Sequence, residues 1–513
     1  MEAAKLIALI LSVTRVSESA RILGAIPTPS YSHQVLFQPL WRELSLRGHQ
    51  VTVLTTNPIN DPTLTNLTEI DLSSSFKILD DKLLEIINSS QNVLKVMQLT
   101  IKTFHDVNDF QLQHPEVRSL IDDEDQHFDL LIVEYILSPM FYFSKRFRCP
   151  YIGLLPLDSS NINYRSFGHP AAHPTLYPDM LMGIHGETSL LERVQLILFE
   201  LFMVCIAPMV RGWEQEMAWN HFRDTTPVET IRAEISLLFV NSDPVLHYNR
   251  PLLPSVISIG GTLARIPTKP LEKNVREFLD GASQGFVYFS LGSNVKSKDI
   301  PARSMDVILA TFRRLPYKVL WKYELSDLPN LPTNVFISQW VSQMEVLGHR
   351  NIKTFITHGG VHSMQEAIFS RVPMVGMPFF VDQPFNVKKM THLGVALSVD
   401  YKTMTVEELE SSILEVIDNP RYRNRIEELA DLAEDQPTTG LERAMWWTEY
   451  VLRHKGAPHF RSPYLDIPWY QYYLVDVFGT VFLGVSFGIF VTVKIVSVSL
   501  RYIFGKSSKI TKI

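Results

Sequence analysis

Phe355-Ile356-Thr357-His358-Gly359-Gly360-Val361-His362-Ser363-Met364-Gln365-Glu366 is the stretch that decides how the chain is read. A short apolar run of buried-strand character ends at two adjacent glycines, and a helical pattern begins directly after them. In that layout the backbone amides of the turn, with Gly360 among them, and the positive end of the helix dipole face one spot, which can hold a diphosphate. His358 and Ser363 add donors there, and Glu366 lies far enough along the helix to accept hydroxyl hydrogen bonds from a ribose. Ser363 and Glu366 also have capping-box spacing, and alone they would say only that a helix starts. The next apolar run, Pro373-Met374-Val375-Gly376-Met377-Pro378, leads into Phe379-Phe380-Val381-Asp382-Gln383. Asp382 and Gln383 then end a strand in the same cleft, where a sugar's hydroxyls can be read, and a cap does not explain them.

Outward from this segment, strand-like runs at Phe286–Phe289, Val319–Trp321, Val335–Ile337, Lys353–Ile356 and Pro373–Val375 alternate with helical patterns. That is a doubly wound α/β layer over residues 285–455, with helical pattern from Thr405 to Lys455 to pack behind it or cross between domains. Prolines 251, 254, 267 and 270 mark a linker over 251–284. Before it, a strand at Arg21–Ile26, a helix at Gln34–Arg47 and a strand at Val51–Leu54 form a β-α-β unit, and Phe128–Val133 and Tyr151–Leu154 continue the pattern. Residues 21–250 thus form a first α/β domain. Two such domains face to face leave a cleft at the carboxyl ends of both sheets, where small ligands bind. Leu190 to Val210 is apolar and helical, interrupted by Glu192, Arg193, Glu200 and Pro208; it suits either a membrane surface or the core of the first domain.

The balance of 513 residues fits this picture, since one ordinary core holds roughly 100–200 residues. A net charge of −6 lacks the basic footprint of a nucleic-acid binder. Cys149 and Cys205 are the only cysteines, too few for a disulfide framework or a four-cysteine zinc site. Met1 to Ala20 has the layout of a cleaved secretory signal, with Lys5, the apolar run Leu6–Val13 and small residues Ser17, Ser19 and Ala20. A transmembrane helix is expected at 476–500, after a juxtamembrane segment at 456–475 that carries Trp469, Tyr470, Tyr472 and Tyr473. A basic tail at 501–513, with Arg501, Lys506, Lys509 and Lys512, follows it. The positive tail is expected in the cytosol and the bulk of the chain in a lumen, where the sequons at Asn66 and Asn88 can carry glycans.

The glycine-turn segment as a whole resembles the signature of the UDP-glycosyltransferases. The full chain resembles their membrane-bound animal branch, with insect-like wording in Phe289-Ser290-Leu291-Gly292-Ser293-Asn294-Val295; Ser32-His33 and Gly48-His49-Gln50-Val51-Thr52 extend the likeness to the amino-terminal end. The resemblance implies a GT-B fold, two facing Rossmann-like domains with the acceptor held mainly by the first and UDP-sugar mainly by the second. It gives Trp340 the role of stacking on uracil, with Gln343 at the expected spacing, although Val341, Ser342 and Met344 depart from the usual Trp-Leu-Pro-Gln neighbourhood. By itself, a tryptophan after a strand reads as core. Gly292 and Ser293 resemble the loop over the diphosphate.

His33 falls where the family keeps its general base, and an imidazole titrating near neutrality can take the proton of an attacking hydroxyl. Without the resemblance it is a histidine in a polar loop. Its acid partner falls at Glu134, where many relatives carry aspartate; the longer side chain, Asp129 or a water are the alternatives for that role.

Asp123-Glu124-Asp125 also satisfies the Asp-x-Asp pattern of metal-dependent glycosyltransferases, but an acidic run from Asp122 to Asp125 reads first as a solvated loop. Helix amides and side chains can neutralise departing UDP, so no metal or resident cofactor is expected. The resulting expectation is an inverting hexosyltransferase of the endoplasmic reticulum membrane, single-pass, that moves glucose rather than glucuronate from UDP-sugar to a hydroxyl of a small lipophilic acceptor in conjugation or detoxification. Nucleic acid is not expected as a partner, and pairing into a homo-oligomer is left open. Two other classes stay in view: a membrane-held binding protein that no longer turns over, and a transferase acting on a lipid or protein acceptor.

Overall fold

The computed structural model describes residues 19–89, 92–136, 139–170, 172–247, 250–261 and 269–507. The signal segment expected at 1–20 therefore lies outside the described residues except for its last two. Ser19 donates to the Gly48 carbonyl (2.8 Å), and the Ala20 amide donates to His49 Nδ1 (3.2 Å), so both are already tied into the fold.

The first sheet consists of β1 (Arg21–Ile26), β2 (Gln50–Thr55), β3 (Leu67–Asp71), β4 (Leu130–Glu134), β5 (Tyr151–Leu155), β6 (Leu237–Val240) and β7 (Val256–Ser258), all parallel, in the order 3-2-1-4-5-6-7. The second consists of β8 (Phe286–Ser290), β9 (Lys318–Lys322), β10 (Val335–Ser338), β11 (Ile352–Thr357), β12 (Met374–Gly376) and β13 (Ala396–Ser398), also parallel, in the order 10-9-8-11-12-13. Central strands β4, β5 and β8 are buried along their whole length, because parallel sheets are covered by helices on both faces. This is why they read as unbroken apolar runs rather than alternating ones.

Seven helices position the site. In chain order they are α1 (Tyr31–Leu46), α2 (Phe76–Asn88), α3 (Leu190–Phe222), α4 (Val361–Phe369), α5 (Gln383–His392), α6 (Gly440–His454) and α7 (Val475–Ser507). Helix α1 lies against the first sheet through Leu36, Phe37, Leu40, Trp41 and Leu44. Gly24 on β1 makes room for it: a Cβ there would sit 3.0 Å from the Trp41 ring.

Several boundaries differ from those expected. Helix α1 begins at Tyr31 rather than Gln34, so His33 lies in a first helical turn and not in a loop. Strand β7 falls inside the stretch expected to be linker and extends the first sheet. Helix α6 lies within the 285–455 span assigned to the second domain, yet Ala444, Met445 and Val451 pack into the core beside the first sheet, and Glu449 pairs with Arg47 at 2.7 Å. The chain therefore crosses back.

Helix α3 is 33 residues long and does not fill a core. Leu196 and Phe199 point inward, whereas Leu190, Leu191, Val194, Ile197, Leu198, Leu201, Val204 and Met209 are exposed. Residues from Ser462 onward form a separate unit. Within it, 475–503 is apolar and long enough to cross a membrane. Asn66 is exposed just before edge strand β3, while the Asn88 side chain lies outside the described residues. Both cysteines are free, and burial pushes the Cys149 thiol up to about 12.

Candidate active site

Strand β1 ends at Ile26, and the chain turns through Thr28 and Ser30 into α1, so His33 stands at the carboxyl edge of the first sheet. The neighbouring strand β4 ends there too, at Glu134. His33 Nδ1 and Glu134 Oε1 are 2.5 Å apart; the carboxylate is 0% exposed and the imidazole 17%. The other carboxylate oxygen, Oε2, accepts from the Thr28 amide at 3.2 Å. A buried carboxylate is tolerated when its lone pairs are satisfied in this way. The glutamate thus reaches the imidazole directly, and its Nδ1 bond leaves Nε2 as the free edge of the ring. Asp129 takes no part, because it caps the opposite end of the sheet by accepting from the Arg21 amide (2.8 Å). The acidic run Asp122–Asp125 also precedes β4, at the end remote from Glu134. Among the described residues no three His, Cys, Asp or Glu side chains form a metal-binding group.

Across the cleft, β11 ends at Thr357 and α4 starts at Val361. The turn between them surrounds His358 with glycines. A Cβ on Gly292 would lie 2.6 Å from His358 Cε1, and one on Gly360 would lie 2.5 Å from His358 Nε2. Gly292 also has φ +74°, which excludes most side chains on backbone grounds alone. The His358 Nδ1 atom is buried and lacks a protein partner. Burial first, and the Lys322 ammonium second, push its pKa down from 6.5 to about 4. At neutral pH the ring is therefore neutral and offers one N–H to a ligand.

That depression carries a stability consequence. Between pH 6.5 and about 4 the unfolded chain takes up a proton that the folded ring refuses. Stability is thus expected to fall as pH drops through this window, by up to about 1.4 kcal/mol per pH unit for a single group. Thermal melts of wild type and His358→Gln over that range check it: the variant should show the shallower fall, and parallel curves would assign the proton elsewhere.

Ser363 is the third residue of α4 rather than its cap, since the N-cap is Gly360 and no side-chain cap bond is made. The capping-box reading of Ser363 and Glu366 is thereby corrected. Their partner is Gln343, which ends the segment after β10; its amide nitrogen donates to Ser363 Oγ (3.0 Å) and to Glu366 Oε2, while its oxygen accepts from Tyr288 (3.3 Å). Trp340 is not core. It is 50% exposed, its ring lies 4.6 Å from that of Tyr31 at 80°, and the Lys322 Nζ stands 6.0 Å from the ring. An exposed indole beside a carboxylate and an amide suits a flat base with its ribose. Ser342 Oγ, in the departing neighbourhood, is buried without a partner.

Asp382 and Gln383 do not end a strand as expected. Strand β12 stops at Gly376, and the two residues open α5 after a loop in which Val381 takes φ +56°. A β-branched residue in the left-handed region is strained, and such strain persists only where the surroundings enforce it. Gln383 enforces it here: its side-chain oxygen accepts from the amides of Phe379 (2.9 Å) and Phe380 (3.2 Å), leaving its amide nitrogen for a ligand. The Asp382 carboxyl is raised above the usual carboxylate range by burial, while a hydrogen bond from Asn386 and the nearby His33 pull it down.

Three residues of this site carry no signal in a single sequence. Asn386 Nδ2 donates to Asp382 Oδ2 (2.6 Å) and to the Gly359 carbonyl (3.0 Å), joining the sugar end to the diphosphate turn. Lys322, the last residue of β9, donates to the Gly292 carbonyl (3.0 Å) and pairs with Glu324 (2.7 Å). Tyr31 reaches the indole from the first half. Only the four-residue step from Asp382 to Asn386, one helical turn, could have pointed to the first of them.

Comparison with known proteins fits this geometry. The sequence pattern of the family described as UDP-glucoronosyl and UDP-glucosyl transferase matches residues 22–510. An ecdysteroid UDP-glucosyltransferase of Spodoptera littoralis nuclear polyhedrosis virus is 33% identical over 499 residues, covering 92% of this chain and 96% of its own. UDP-glycosyltransferase UGT5 of Dactylopius coccus is 30% identical, covering 97% and 96%, and UDP-glucuronosyltransferase 2B33 of Macaca mulatta is 29% identical, covering 90% of each. Among solved structures, the glycotransferase of kitacinnamycin superposes with a TM-score of 0.58 at 20% identity, over 84% of this chain and 99% of its own. TcCGT1, crystallised with UDP, gives 0.57 at 14%, over 85% and 100%. Two facing parallel sheets and full-length likeness agree, and the chain belongs to the family of UDP-glucuronosyl and UDP-glucosyl transferases, enzymes of GT-B fold.

Proposed function

We propose that this enzyme transfers a hexose, glucose in preference to glucuronate, from UDP-sugar to a hydroxyl of a small lipophilic acceptor, with inversion at the anomeric carbon. The observation that carries the reading is the His33–Glu134 pair at 2.5 Å, set opposite Asp382 and the glycine turn. The acceptor O–H gives its proton to His33 Nε2 as its oxygen attacks the anomeric carbon from the face away from UDP. Glu134 holds Nδ1–H and stabilises the imidazolium that forms. The bond from sugar to the β-phosphate breaks, and its electron pair leaves with UDP. Gly292, Ser293, His358, Gly360 and Ser363 surround the diphosphate, while Trp340, Gln343 and Glu366 take the uridine, and Asp382 and Gln383 take the sugar hydroxyls. Charge on departing UDP is met by the amides at the start of α4, a preorganised site that needs no reorientation during reaction.

A glycan at Asn66, residence in the endoplasmic reticulum membrane with a cytosolic tail, and a role in conjugating xenobiotics or endogenous metabolites belong to the same proposal. The exposed leucines and valines of α3 support a lipid-facing surface from which apolar acceptors arrive. The test offers UDP-glucose and UDP-glucuronate separately to detergent-opened membranes expressing the chain, with a panel of phenols, and reads UDP release with product mass. Hexose adducts from wild type, absent in His33→Ala, are expected. Tight UDP binding without any adduct would favour a binding protein instead, and adducts only on ceramide-like or peptide acceptors would move the acceptor class.

A further inference from the structure

Ser30 is the N-cap residue of α1, the position where serine hydroxyls ordinarily accept from a backbone amide two or three residues on. Here the hydroxyl makes no such bond. It is turned across the cleft instead, where Asn294 Nδ2 donates to Ser30 Oγ at 3.1 Å and the Ser30 hydroxyl faces Asn294 Oδ1 at 3.3 Å. Asn294 follows Gly292 and Ser293 in the loop assigned to the diphosphate. The next residue, Tyr31, places its ring against Trp340, the uracil platform. Glu366, assigned to the ribose, is close enough to add to the effect of burial in raising the Tyr31 hydroxyl. Two residues further on stands His33, its amide bonded to the Ser30 carbonyl (3.1 Å). Within four consecutive residues, the element that carries the base touches the loop for the diphosphate and the platform for the nucleobase.

We propose that Ser30 and Tyr31 are positioning residues, which through Asn294 and Trp340 set the register of His33 against the anomeric carbon of bound UDP-sugar. The inference rests on the roles given above to His33 and to the 292–293 loop. Its physical content is that base placement and donor seating are one mechanical variable. A loop shift that moves the diphosphate also moves α1, so the imidazole follows the sugar it serves. Contacts of this kind act on rate rather than on affinity, because a displacement of about 1 Å at the reacting atoms can cost roughly a hundredfold.

Full-length protein in detergent, as wild type, Ser30→Ala, Asn294→Ala, the double variant and Ser30→Thr, tests it through kcat, the dissociation constant of UDP and the melting temperature. Each alanine variant is expected to lose roughly tenfold to a hundredfold in kcat with UDP affinity and melting temperature little changed, the latter because the lost hydroxyl caps nothing. The double variant should be no slower than the slower single one, as for partners in one contact, and Ser30→Thr, which keeps the hydroxyl, should retain most of the rate. Tyr31→Ala should lower kcat and also weaken UDP binding through its effect on Trp340. The register is overturned if kcat is unaffected, if the two single losses multiply, if they appear in UDP affinity or melting alone, or if Tyr31→Ala tightens UDP. A wild type that transfers nothing would overturn the functional reading itself, whereas active wild type with unaltered variants overturns this inference alone.

Discussion

Replacing His33 with alanine is expected to lower sugar transfer by roughly 10²–10⁴-fold, the usual worth of a positioned general base, while UDP still binds. The geometry explains why the loss is large and confined to the rate. His33 lies on the first half, away from the residues that surround nucleotide and diphosphate, and its free Nε2 edge is the only basic atom held at that spot by a buried acid. Glu134→Gln should follow with a smaller loss. The amide keeps the size and can still accept from Nδ1–H, but it carries no charge to stabilise the imidazolium. Glu134→Asp tests the reach of the side chain, because shortening it by one methylene draws the carboxylate back from a 2.5 Å contact and from the Thr28 amide. Initial rates at saturating UDP-sugar, read beside UDP-induced thermal stabilisation, separate the two effects. Comparable losses in rate and in stabilisation would place His33 in donor binding instead.

Gly292→Ala is the second large effect, and of the opposite kind. The new methyl would meet His358 Cε1 at 2.6 Å, in a backbone conformation, φ +74°, that alanine resists. His358 cannot retreat, since Gly360 borders its other side with equally little space. The loop must therefore move, taking with it the carbonyl that Lys322 holds. We expect UDP affinity to fall by roughly tenfold or more, one to two kcal/mol of strain being about what such a residue costs, with the global melting temperature changed far less. Calorimetric titration with UDP is the direct readout, and wild-type affinity in the variant would detach this loop from the diphosphate.

The turn around His358 was legible in the sequence because its chemistry depends on residue types in a fixed local order. Strand, two glycines and helix can be read without any knowledge of what lies opposite. The same holds for the two parallel layers, whose central strands are continuous apolar runs. What could not be read depends on contacts between distant segments. Ser363 and Glu366 fit a capping box in one dimension, and only the arrival of Gln343 from another strand end gives them a different partner. Lys322 looks like any cation at the end of an edge-side strand until the Gly292 carbonyl is found beside it. Strands β3, β7 and β13, of three to five residues, are too short for a periodicity to show. Helix α3 has the composition of a core or of a lipid surface, and composition does not say which side of a helix is left bare.

The return of α6 to the first sheet bears on how such proteins can be recombined. Acceptor selectivity is a natural target for grafting the first half of one relative onto the second half of another, and the polar connector after β7 invites a single junction there. A single junction cuts the wrong boundary. Ala444, Met445, Val451 and Ala457 cover the outer side of Trp41 and Leu44, and Glu449 answers Arg47, so the outer wall of the first half is encoded some two hundred residues later. A hybrid joined only once would set one parent's helix on another parent's α1, and its failure to fold would say nothing about substrate. Two junctions, one after β7 and one ahead of α6, exchange the half together with its own outer wall.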